Sequence, residues 1–332
     1  MNSVGQSKGI IGSGAMDALS IAIPAGADTS SIAVLTVTYH PDPERFARQV
    51  RRLPEDVLLV IVDNASTEVE LGAVERSIGD RPHTHMLRNQ TNVGLAAAIN
   101  QAAAYIATLV PTREFLLLMD QDSVPESGTV AQLLHSFLHL EQQGRSVGCV
   151  GPRLVDGTTG LQHGFHRMRG WRWIRVFPED SAVPIQCANL NGSGTLVRLS
   201  FFQRMHGLDE TMFIDHVDTD WAFRVLAAGF EIYGIPQAIV DHRMGERGLR
   251  FWWFGWRIWP YRSPCRHYYL FRNAIWLMHQ PYVPVVWKFW AVVKLALTMM
   301  LHALFDAQRG AQLRSMLAGI REGLVVARKH AE

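Results

Sequence analysis

The chain has 332 residues, of which 48% are hydrophobic and 19% are charged. This length and apolar content are sufficient for one large domain or two small ones with a buried core, and they exclude a disordered chain. The three cysteines, Cys149, Cys187 and Cys265, form no CxxC pair and have no metal-ligand spacing. This excludes a disulfide framework or a thiolate metal site, and indicates a reducing compartment, the cytoplasm.

The formal net charge of +2 conceals an asymmetry along the chain. Residues 1–241 contain 18 Lys and Arg against 26 Asp and Glu, whereas residues 242–332 contain 14 against 4. A basic segment favours an anionic surface, either phospholipid or nucleic acid. Because this basic segment is also rich in Trp, Phe and Leu, we expect a membrane partner and no nucleic acid.

The chain begins with a segment, residues 1–30, that is rich in Ser, Gly and Ala. It lacks the basic start and the long apolar run of a secretory signal, so we expect a flexible N-terminal tail. Apolar runs then predict strands at 32–39, 57–62, 85–87 and 115–119. Helices are predicted at 43–53, from an N-cap at Ser66 to 78, at 95–108, at 126–140 and at 217–227. Strands that alternate with helices predict an α/β fold with a mainly parallel sheet flanked by helices.

Acidic residues follow two of these buried strands. Asp63 ends the second strand, and Asp120 and Asp122 end the fourth one residue apart. Ligands of open α/β sheets bind at such strand ends. Two hard oxygen ligands suit Mg²⁺ or Mn²⁺ and, through the cation, a diphosphate. For Asp63 two interpretations stay open: it accepts a hydrogen bond from a pyrimidine N3–H, or it caps the following helix.

Six motifs in register extend this interpretation: VTYHP (37–41), VDNAS (62–66), RNQTNVGLAAAIN (88–100), MDQDS (119–123), NGSGTLVR (191–198) and FIDHVDTDWAFR (213–224). With them, residues 32–242 resemble glycosyltransferase family 2, the inverting enzymes with the Rossmann-like GT-A fold. The resemblance implies a catalytic domain at 31–245, with a nucleotide-binding half at 31–123 and an acceptor half at 124–245. It also implies that residues 246–332 form a helical extension.

The resemblance implies a role for each matching position. It makes Asp218 the general base and adds His242 to Asp120 and Asp122 as a metal ligand. The nucleotide sugar is expected at Thr38, Tyr39, Asp63, Asn64, Arg88, Asn92, Gly94, Asp120 and Gln121. The acceptor is expected at Gly192, Ser193, Gly194, Asp215 and Asp220. By residue type, Arg266 and Arg272 are candidates to bind a polyprenyl diphosphate on the acceptor.

Within the family, FIDHVDTDW and YYLFRNAIW (268–276) most resemble bacterial rhamnosyltransferases that use dTDP-L-rhamnose in making O-antigen and other surface glycans. The acceptor is then a lipid-linked glycan. Another nucleotide sugar, a UDP-hexose or a second dTDP-deoxysugar, is the nearest alternative. A sugar nucleotidyltransferase ranks far below, because Tyr39-His40-Pro41-Asp42 follows the first strand where that class needs a Gly-rich phosphate loop. A non-catalytic scaffold ranks below as well, because Asp120, Asp122, Asp218 and His242 are all present.

The C-terminal extension contains an apolar run, 283–301, that Lys288 and Lys294 interrupt. On a helical wheel these lysines share about one third of the circumference with Thr298, His302 and Asp306. One interpretation is a helix in the plane of a membrane interface; the other is a helix packed on the catalytic domain with its lysines in water. We therefore expect a cytoplasmic protein attached peripherally to the inner face of the cytoplasmic membrane, and the sequence leaves its oligomeric state open.

Overall fold

The computed structural model describes residues 28–177, 181, 183–243, 248–252 and 256–329. Of the predicted N-terminal tail, residues 1–27 lie outside this part. At its end, Thr29 is buried, and its backbone N–H and its hydroxyl donate to the Asp56 carboxylate at 2.7 and 2.5 Å. These contacts attach the chain just ahead of the first strand.

The strands in chain order are β1 (Ile32–Thr38), β2 (Leu58–Asp63), β3 (Thr84–Arg88), β4 (Phe115–Asp120), β5 (Ser123–Pro125), β6 (Val147–Val155), β7 (Phe165–Arg169), β8 (Arg172–Val176), β9 (Ile185–Cys187), β10 (Thr195–Arg198), β11 (Glu231–His242), β12 (Gly248–Trp252) and β13 (Trp256–Pro260). The helices are α1 (Pro43–Arg52), α2 (Glu68–Ile78), α3 (Leu95–Ile106), α4 (Thr129–Gln142), α5 (Leu199–Arg204), α6 (Val217–Ala227), α7 (Pro264–His279), α8 (Val285–Phe305) and α9 (Arg309–Lys329), with a 3-10 turn at Glu210–Met212.

The central sheet has the strand order β3-β2-β1-β4-β10-β6-β11-β5, and β9 also pairs with β11. Strands β3, β2, β1 and β4 are parallel, whereas β10 runs antiparallel to both of its neighbours. The parallel register pairs Thr38 with Asp63 and Val37 with Asp120, so these strand ends lie side by side. The predicted mixed, mainly parallel sheet flanked by helices is confirmed.

Alternate residues of β1 supply the two faces of the sheet, as strand geometry requires. Ala33 and Leu35 belong to an apolar cluster with α3 and α6, and Ile32 and Val34 to a second cluster with α1 and α4. Because both faces of β1 and β2 are covered, these strands read as continuous apolar runs in the sequence. The C-terminal helices α7 and α8 contribute to the first cluster, for example through Phe271 of α7. This cluster therefore joins the C-terminal helices to the central sheet.

The second predicted helix begins one residue later than expected. Thr67, rather than Ser66, is the N-cap of α2: the Glu70 backbone N–H donates to the Thr67 hydroxyl, and the Glu70 carboxylate accepts from the Thr67 backbone. The Ser66 hydroxyl instead accepts from the His40 backbone N–H at 3.1 Å. The reciprocal capping box outweighs a lone Ser because it satisfies two orphan N–H groups.

The segment between β6 and β10 contains regular structure within its described residues. Strands β7 and β8 form an antiparallel hairpin, and β9 adds to the edge of β11. The Trp171 side chain at the hairpin turn is 72% exposed. The Trp290 indole N–H of α8 donates to the Trp171 carbonyl at 3.3 Å. The hairpin therefore contacts the C-terminal helices.

The polar stripe of α8 points into the protein, and its apolar stripe points outward. Thr298, His302 and Asp306 are buried, and His302 and Asp306 share a hydrogen-bond network with Gln312 of α9. The exposed apolar residues of this helix are Val285, Phe289, Trp290, Val292, Leu297, Met300, Leu304 and Phe305. The helix is also long and apolar enough to cross a membrane by length and composition alone. The polar side of α8 therefore packs on protein, and the apolar side has no cover within the described residues.

Candidate active site

The turn between β4 and β5 brings two carboxylates to the end of β11. One ligand atom from each of Asp120, Asp122 and His242 lies within 4.8 Å of the other two. Two carboxylate oxygens and one imidazole nitrogen form a donor set that fits Mn²⁺ or Mg²⁺. Burial raises the pKa of Asp120; His242 and Arg266 lower it, and the charge of Asp122 raises it further. A cation held here would offset the repulsion between the two carboxylates.

Two serines orient the histidine of this group. The His242 Nδ1 lies 2.8 Å from the Ser123 hydroxyl, which accepts from the Ser193 hydroxyl at 2.6 Å. The Asp120 backbone N–H donates to the Ser193 oxygen at 3.2 Å. The same Nδ1 lies 3.5 Å from an Asp122 carboxylate oxygen, so the imidazole faces the acidic turn. Ser193 was predicted to contact the acceptor; it is 1% exposed, and its hydroxyl belongs to this chain of hydrogen bonds.

Two polar residues of α1, Arg45 and Gln49, fix the backbone of the acidic turn. The Gln49 amide donates to the carbonyls of Asp120 and Ser123, both at 2.6 Å, and its oxygen accepts from the Thr36 hydroxyl at 3.2 Å. The Arg45 guanidinium donates to the Asp122 carbonyl. Sequence reasoning missed both residues. The sequence pattern that could have revealed them is their spacing of four, which puts both on the buried face of α1 beside Phe46 and Val50.

The predicted nucleotide residues converge at the ends of β1, β2 and β4. The Asp63 carboxylate accepts from the Thr38 hydroxyl at 3.0 Å and from the Ser66 N–H at 3.0 Å, so it holds the loop before α2 but does not cap that helix, whose N-cap is Thr67. Gln121 and the Tyr39 backbone exchange two hydrogen bonds, at 2.7 and 3.0 Å. The strand ends are therefore joined to one another as well as to the sheet.

Asn64 and Asn92 organise the loop that leads into α3. The Asn64 amide donates to the Asn92 side chain at 2.9 Å, and its oxygen accepts from the Val93 N–H at 3.1 Å. Gly94 has a φ of +91°, and a Cβ there would lie 2.6 Å from the Phe213 ring. Glycine is thus required where this loop meets the loop that precedes Asp218. Arg88, by contrast, is half-exposed and pairs with Glu75 of α2.

Asp218 lies in the first turn of α6, behind an unusual backbone. Phe213, Asp215 and His216 all have positive φ, between 61° and 65°. The Asn273 amide of α7 donates to the carbonyls of Met212, Ile214 and Asp215 at 2.8 to 2.9 Å, which holds this conformation in place. Strained backbone of this kind is retained where the surrounding structure over-determines it.

The Asp218 carboxylate is the strongest candidate for a general base. Burial raises its pKa to about 6; the Thr219 N–H, which donates at 2.8 Å, opposes this, and the charges of Asp120 and Asp215 add to it. At neutral pH such a carboxylate is ionised and is a stronger base than an ordinary aspartate. The positive-φ Gly194 and the nearby Gly192 line the approach: a Cβ on Gly192 would lie 4.0 Å from the Asp218 Cβ, and one on Gly194 would meet Pro152 at 2.3 Å.

Three residues that were predicted to bind the acceptor are engaged elsewhere. Asp215 is buried and accepts from Arg262 and Arg266; burial alone would raise its pKa, but the two guanidiniums outweigh this and lower it. Asp220 is 1% exposed, with Arg224 on one oxygen at 2.7 Å and the Tyr282 hydroxyl on the other at 2.6 Å.

The third, Arg272, donates to the Thr211 carbonyl and lies over the Tyr269 ring at 5.0 Å. Because its guanidinium is committed to the backbone of the loop before Asp218, it stabilises that loop. The sequence could not distinguish this role from diphosphate binding, since both use the same donor groups.

Comparison with known proteins agrees with this geometry. The family model for Glycosyl transferase family 2 matches residues 43–205, about half of the chain. The chain is 26% identical to the dTDP-rhamnosyl transferase RfbF of Shigella flexneri, over 77% of this chain and 83% of that one. It is 25% identical to the N-acetylglucosaminyl-diphospho-decaprenol L-rhamnosyltransferase of Mycobacterium tuberculosis, over 64% of this chain and 76% of that one.

Solved structures support the same fold. The mannosyltransferase PcManGT from Pyrobaculum calidifontis, in complex with GDP-Man and Mn²⁺, aligns over 91% of this chain and 79% of that one, with a TM-score of 0.53 and 16% identity. GalNAc-T7 with UDP, GalNAc and Mn²⁺ aligns over 82% of this chain and 58% of that one, with a TM-score of 0.53 and 15% identity. Both comparisons show the fold alone.

The fold and the family match define a glycosyltransferase with the GT-A fold. Residues 43–205 form a glycosyltransferase family 2 domain, as the six motifs predict, and the chain resembles bacterial rhamnosyltransferases.

Proposed function

We propose that this glycosyltransferase moves L-rhamnose from dTDP-β-L-rhamnose to a hydroxyl of a lipid-linked glycan, with inversion at the anomeric carbon. The observation that carries the proposal is Asp218, a partly buried carboxylate in the first turn of α6 whose pKa of about 6 is raised by burial and by the charge of Asp120 in the acidic turn. An inverting transfer needs a base on the acceptor side and a cation on the diphosphate side of the anomeric carbon. The site offers groups suited to both.

In this proposal each group of side chains at the site has a separate role. Asp218 takes the proton of the attacking hydroxyl, and Asn273 and Arg272 keep its loop in position. Asp120, Asp122 and His242 would hold Mn²⁺ or Mg²⁺, and such a cation would supply positive charge to stabilise the departing diphosphate. Arg45 and Gln49 hold the carbonyls of the acidic turn, so the two carboxylates stay in place as the diphosphate leaves.

The donor assignment follows from the relatives, which are named as a dTDP-rhamnosyl transferase and an L-rhamnosyltransferase. The test is a donor comparison with purified chain and Mn²⁺, measuring slow hydrolysis and thermal shift with dTDP-L-rhamnose, UDP-glucose and UDP-galactose. We expect the dTDP sugar to bind and to be hydrolysed, with loss of both effects in EDTA and in Asp122→Asn. Preference for a UDP sugar would reject the donor, and no response to any nucleotide sugar would reject the proposed transfer.

A cytoplasmic protein on the inner face of the membrane fits the exposed stripe of α8. Phe289, Val292 and Leu304 are 56%, 54% and 63% exposed, a pattern that would be unfavourable in water without a partner. Trp171 of the β7–β8 hairpin lies beside this stripe, through the hydrogen bond from Trp290. Apolar and aromatic residues of this kind insert at the headgroup boundary of a bilayer.

Vesicle sedimentation tests the membrane association. Leu297→Asp combined with Leu304→Asp places two charges on the exposed stripe, and we expect it to abolish binding to phosphatidylglycerol vesicles. The matched control is Val110→Asp, because Val110 is 94% exposed in the loop after α3. Equal binding by the double variant and the wild type would refute attachment through α8.

A further inference from the structure

A group of cations lines the cleft on the acceptor side of Asp218. We define this acceptor-side cation cluster as Arg175 of β8, Arg262 just ahead of α7, and Lys294 of α8. Two contacts bring α8 to the cleft: the Trp287 ring packs edge-on against His216 at 5.6 Å, and Trp290 donates to the hairpin at Trp171. Lys294 follows Trp287 by seven residues, two helical turns, and so lies on the same face of the helix.

Lys294 has no partner for its charge. Its ammonium makes no hydrogen bond or ion pair with any residue in the described part of the chain, although its side chain is exposed. The surrounding protein nevertheless lowers its pKa: burial is the main cause, the charges of Arg262 and Arg175 add to it, and Asp215 and Asp218 oppose it. Lys294 is thus an exposed cation on a helix that packs beside β8 and, through Trp287, against the loop before Asp218.

Arg175 and Arg262 add charge that the neighbouring residues do not neutralise. The Arg175 Nε–H donates to the His166 Nε2 at 3.2 Å, and this acceptor is uncharged. Burial lowers the pKa of His166 to about 3, with a further contribution from Arg175. Arg262 shares the single carboxylate of Asp215 with Arg266. The cluster therefore carries more positive than negative charge at neutral pH.

A small pocket connects this cluster with the glycine loop before β10. It is lined by Pro152, Arg153, Leu154, His163, Gly164, Phe165, His166, Asn189, Leu190 and Asn191. Asn191 directly precedes Gly192, whose Cα lies near Asp218, and His166 contacts Arg175.

We propose that Arg175 and Lys294 bind the diphosphate of the lipid-linked acceptor. The charges of Arg175 and Lys294 repel each other, and a bound dianion would offset that repulsion. A guanidinium and an ammonium also suit phosphate oxygens, the first as a two-pronged donor and the second as a point charge. Because the outer face of α8 is apolar and exposed, an isoprenoid chain that leaves this site reaches the membrane-facing surface directly. The inference rests on the proposed lipid-linked acceptor.

The test measures binding of farnesyl diphosphate to the full chain in EDTA, which removes divalent cations and with them the donor-side diphosphate site. We expect Lys294→Met to weaken binding at least tenfold, Lys294→Arg to retain most of it, and Arg175→Met to resemble Lys294→Met. Lys288→Met is the matched control on the same helix, because the Lys288 ammonium donates to the Gln280 carbonyl at 2.8 Å. Circular dichroism verifies that each variant is folded.

Two further measurements separate the explanations. Hydrolysis of dTDP-L-rhamnose with Mn²⁺ tests the proposed function alone, and we expect Lys294→Met to leave it within twofold of wild type. Sedimentation with phosphatidylglycerol vesicles distinguishes diphosphate from lipid headgroups, and we expect it to be unchanged in Lys294→Met. The proposal is overturned if Lys294→Met binds farnesyl diphosphate as tightly as wild type, or if Lys288→Met weakens binding as much as Lys294→Met does. Either result counts regardless of the rate of dTDP-L-rhamnose hydrolysis. Equal binding of farnesol and farnesyl diphosphate overturns it as well.

Discussion

Acidification should switch off transfer by protonating Asp218. Burial raises the pKa of this carboxyl to about 6 from the 3.8 of an ordinary aspartate. Only the ionised form accepts a proton from the acceptor hydroxyl. Activity is therefore present above pH 6 and is lost as the pH falls through 6, whereas an unshifted aspartate would lose it near pH 4.

The size of the effect follows from the titration. With a pKa of about 6, roughly 90% of Asp218 is ionised at pH 7 and roughly 9% at pH 5, so kcat/KM should fall about tenfold between them. With a pKa of 3.8 the loss by pH 5 would be under about 10%. Because the folded-state pKa is raised, ionisation also destabilises the fold at neutral pH. Asp218→Asn should therefore stabilise the protein by about 1–2 kcal/mol at pH 7, after allowance for partial solvent screening, and by less at pH 4.

The assay is acceptor-dependent release of dTDP at saturating Mn²⁺, between pH 4.5 and 8. Asp218→Asn should lower kcat by about 10²–10⁴, which is the usual contribution of a general base, with donor binding within twofold of wild type. Glu75→Gln is the control, because Glu75 is an exposed carboxylate on α2 that pairs with Arg88.

Two outcomes would refute the assignment of Asp218. The first is a pH profile that breaks below pH 5, because burial would then not control the titration of the base. The second is an Asp218→Asn variant that retains more than a tenth of wild-type activity. Thermal unfolding at pH 4 and pH 7 separates both outcomes from a simple loss of the fold.

Three further predictions concern residues that hold the site together. Gln49→Met removes the amide that donates to the carbonyls of Asp120 and Ser123. We expect it to lower the free energy of unfolding in urea by about 2–4 kcal/mol and to lower the Mn²⁺ affinity measured by titration calorimetry. An unchanged Mn²⁺ affinity would contradict the positioning role of Gln49. Gly94→Ala should lower the free energy of unfolding by about 2–4 kcal/mol, because the added Cβ would clash with the Phe213 ring. Gly128→Ala, also at positive φ but in open space, should lower it by only about 1–2 kcal/mol. Equal losses in the two variants would mean that the ring contact is unimportant. Asn273→Ala should reduce kcat more than tenfold in the transfer assay with donor KM unchanged, and full activity would show that the loop before Asp218 holds its conformation without α7.

The sequence was sufficient for the fold class and for the composition of the site. Buried parallel strands are continuous apolar runs, so β1, β2 and β4 could be recognised from local pattern, and each ends in polar residues at a known edge. Helix α6 was predicted with its observed bounds, Val217–Ala227, and Asp120, Asp122 and His242 lie together as the resemblance implied. The start of α2 was wrong by one residue because capping depends on which side chain completes the reciprocal bonds.

Roles that depend on a partner far along the chain had to come from the tertiary structure. Gln49 lies 71 and 74 residues from the carbonyls that it holds, and no local pattern reports such a pairing. The same reason applies to Asp220 and Arg272. Their donor and acceptor groups are evident from the residue type, but their hydrogen-bond partners are set by the fold. It also explains α8, where the sequence determined one polar and one apolar stripe. Only the packing against α7 and α9 decided that Thr298, His302 and Asp306 of the polar stripe are buried and that the apolar stripe is exposed.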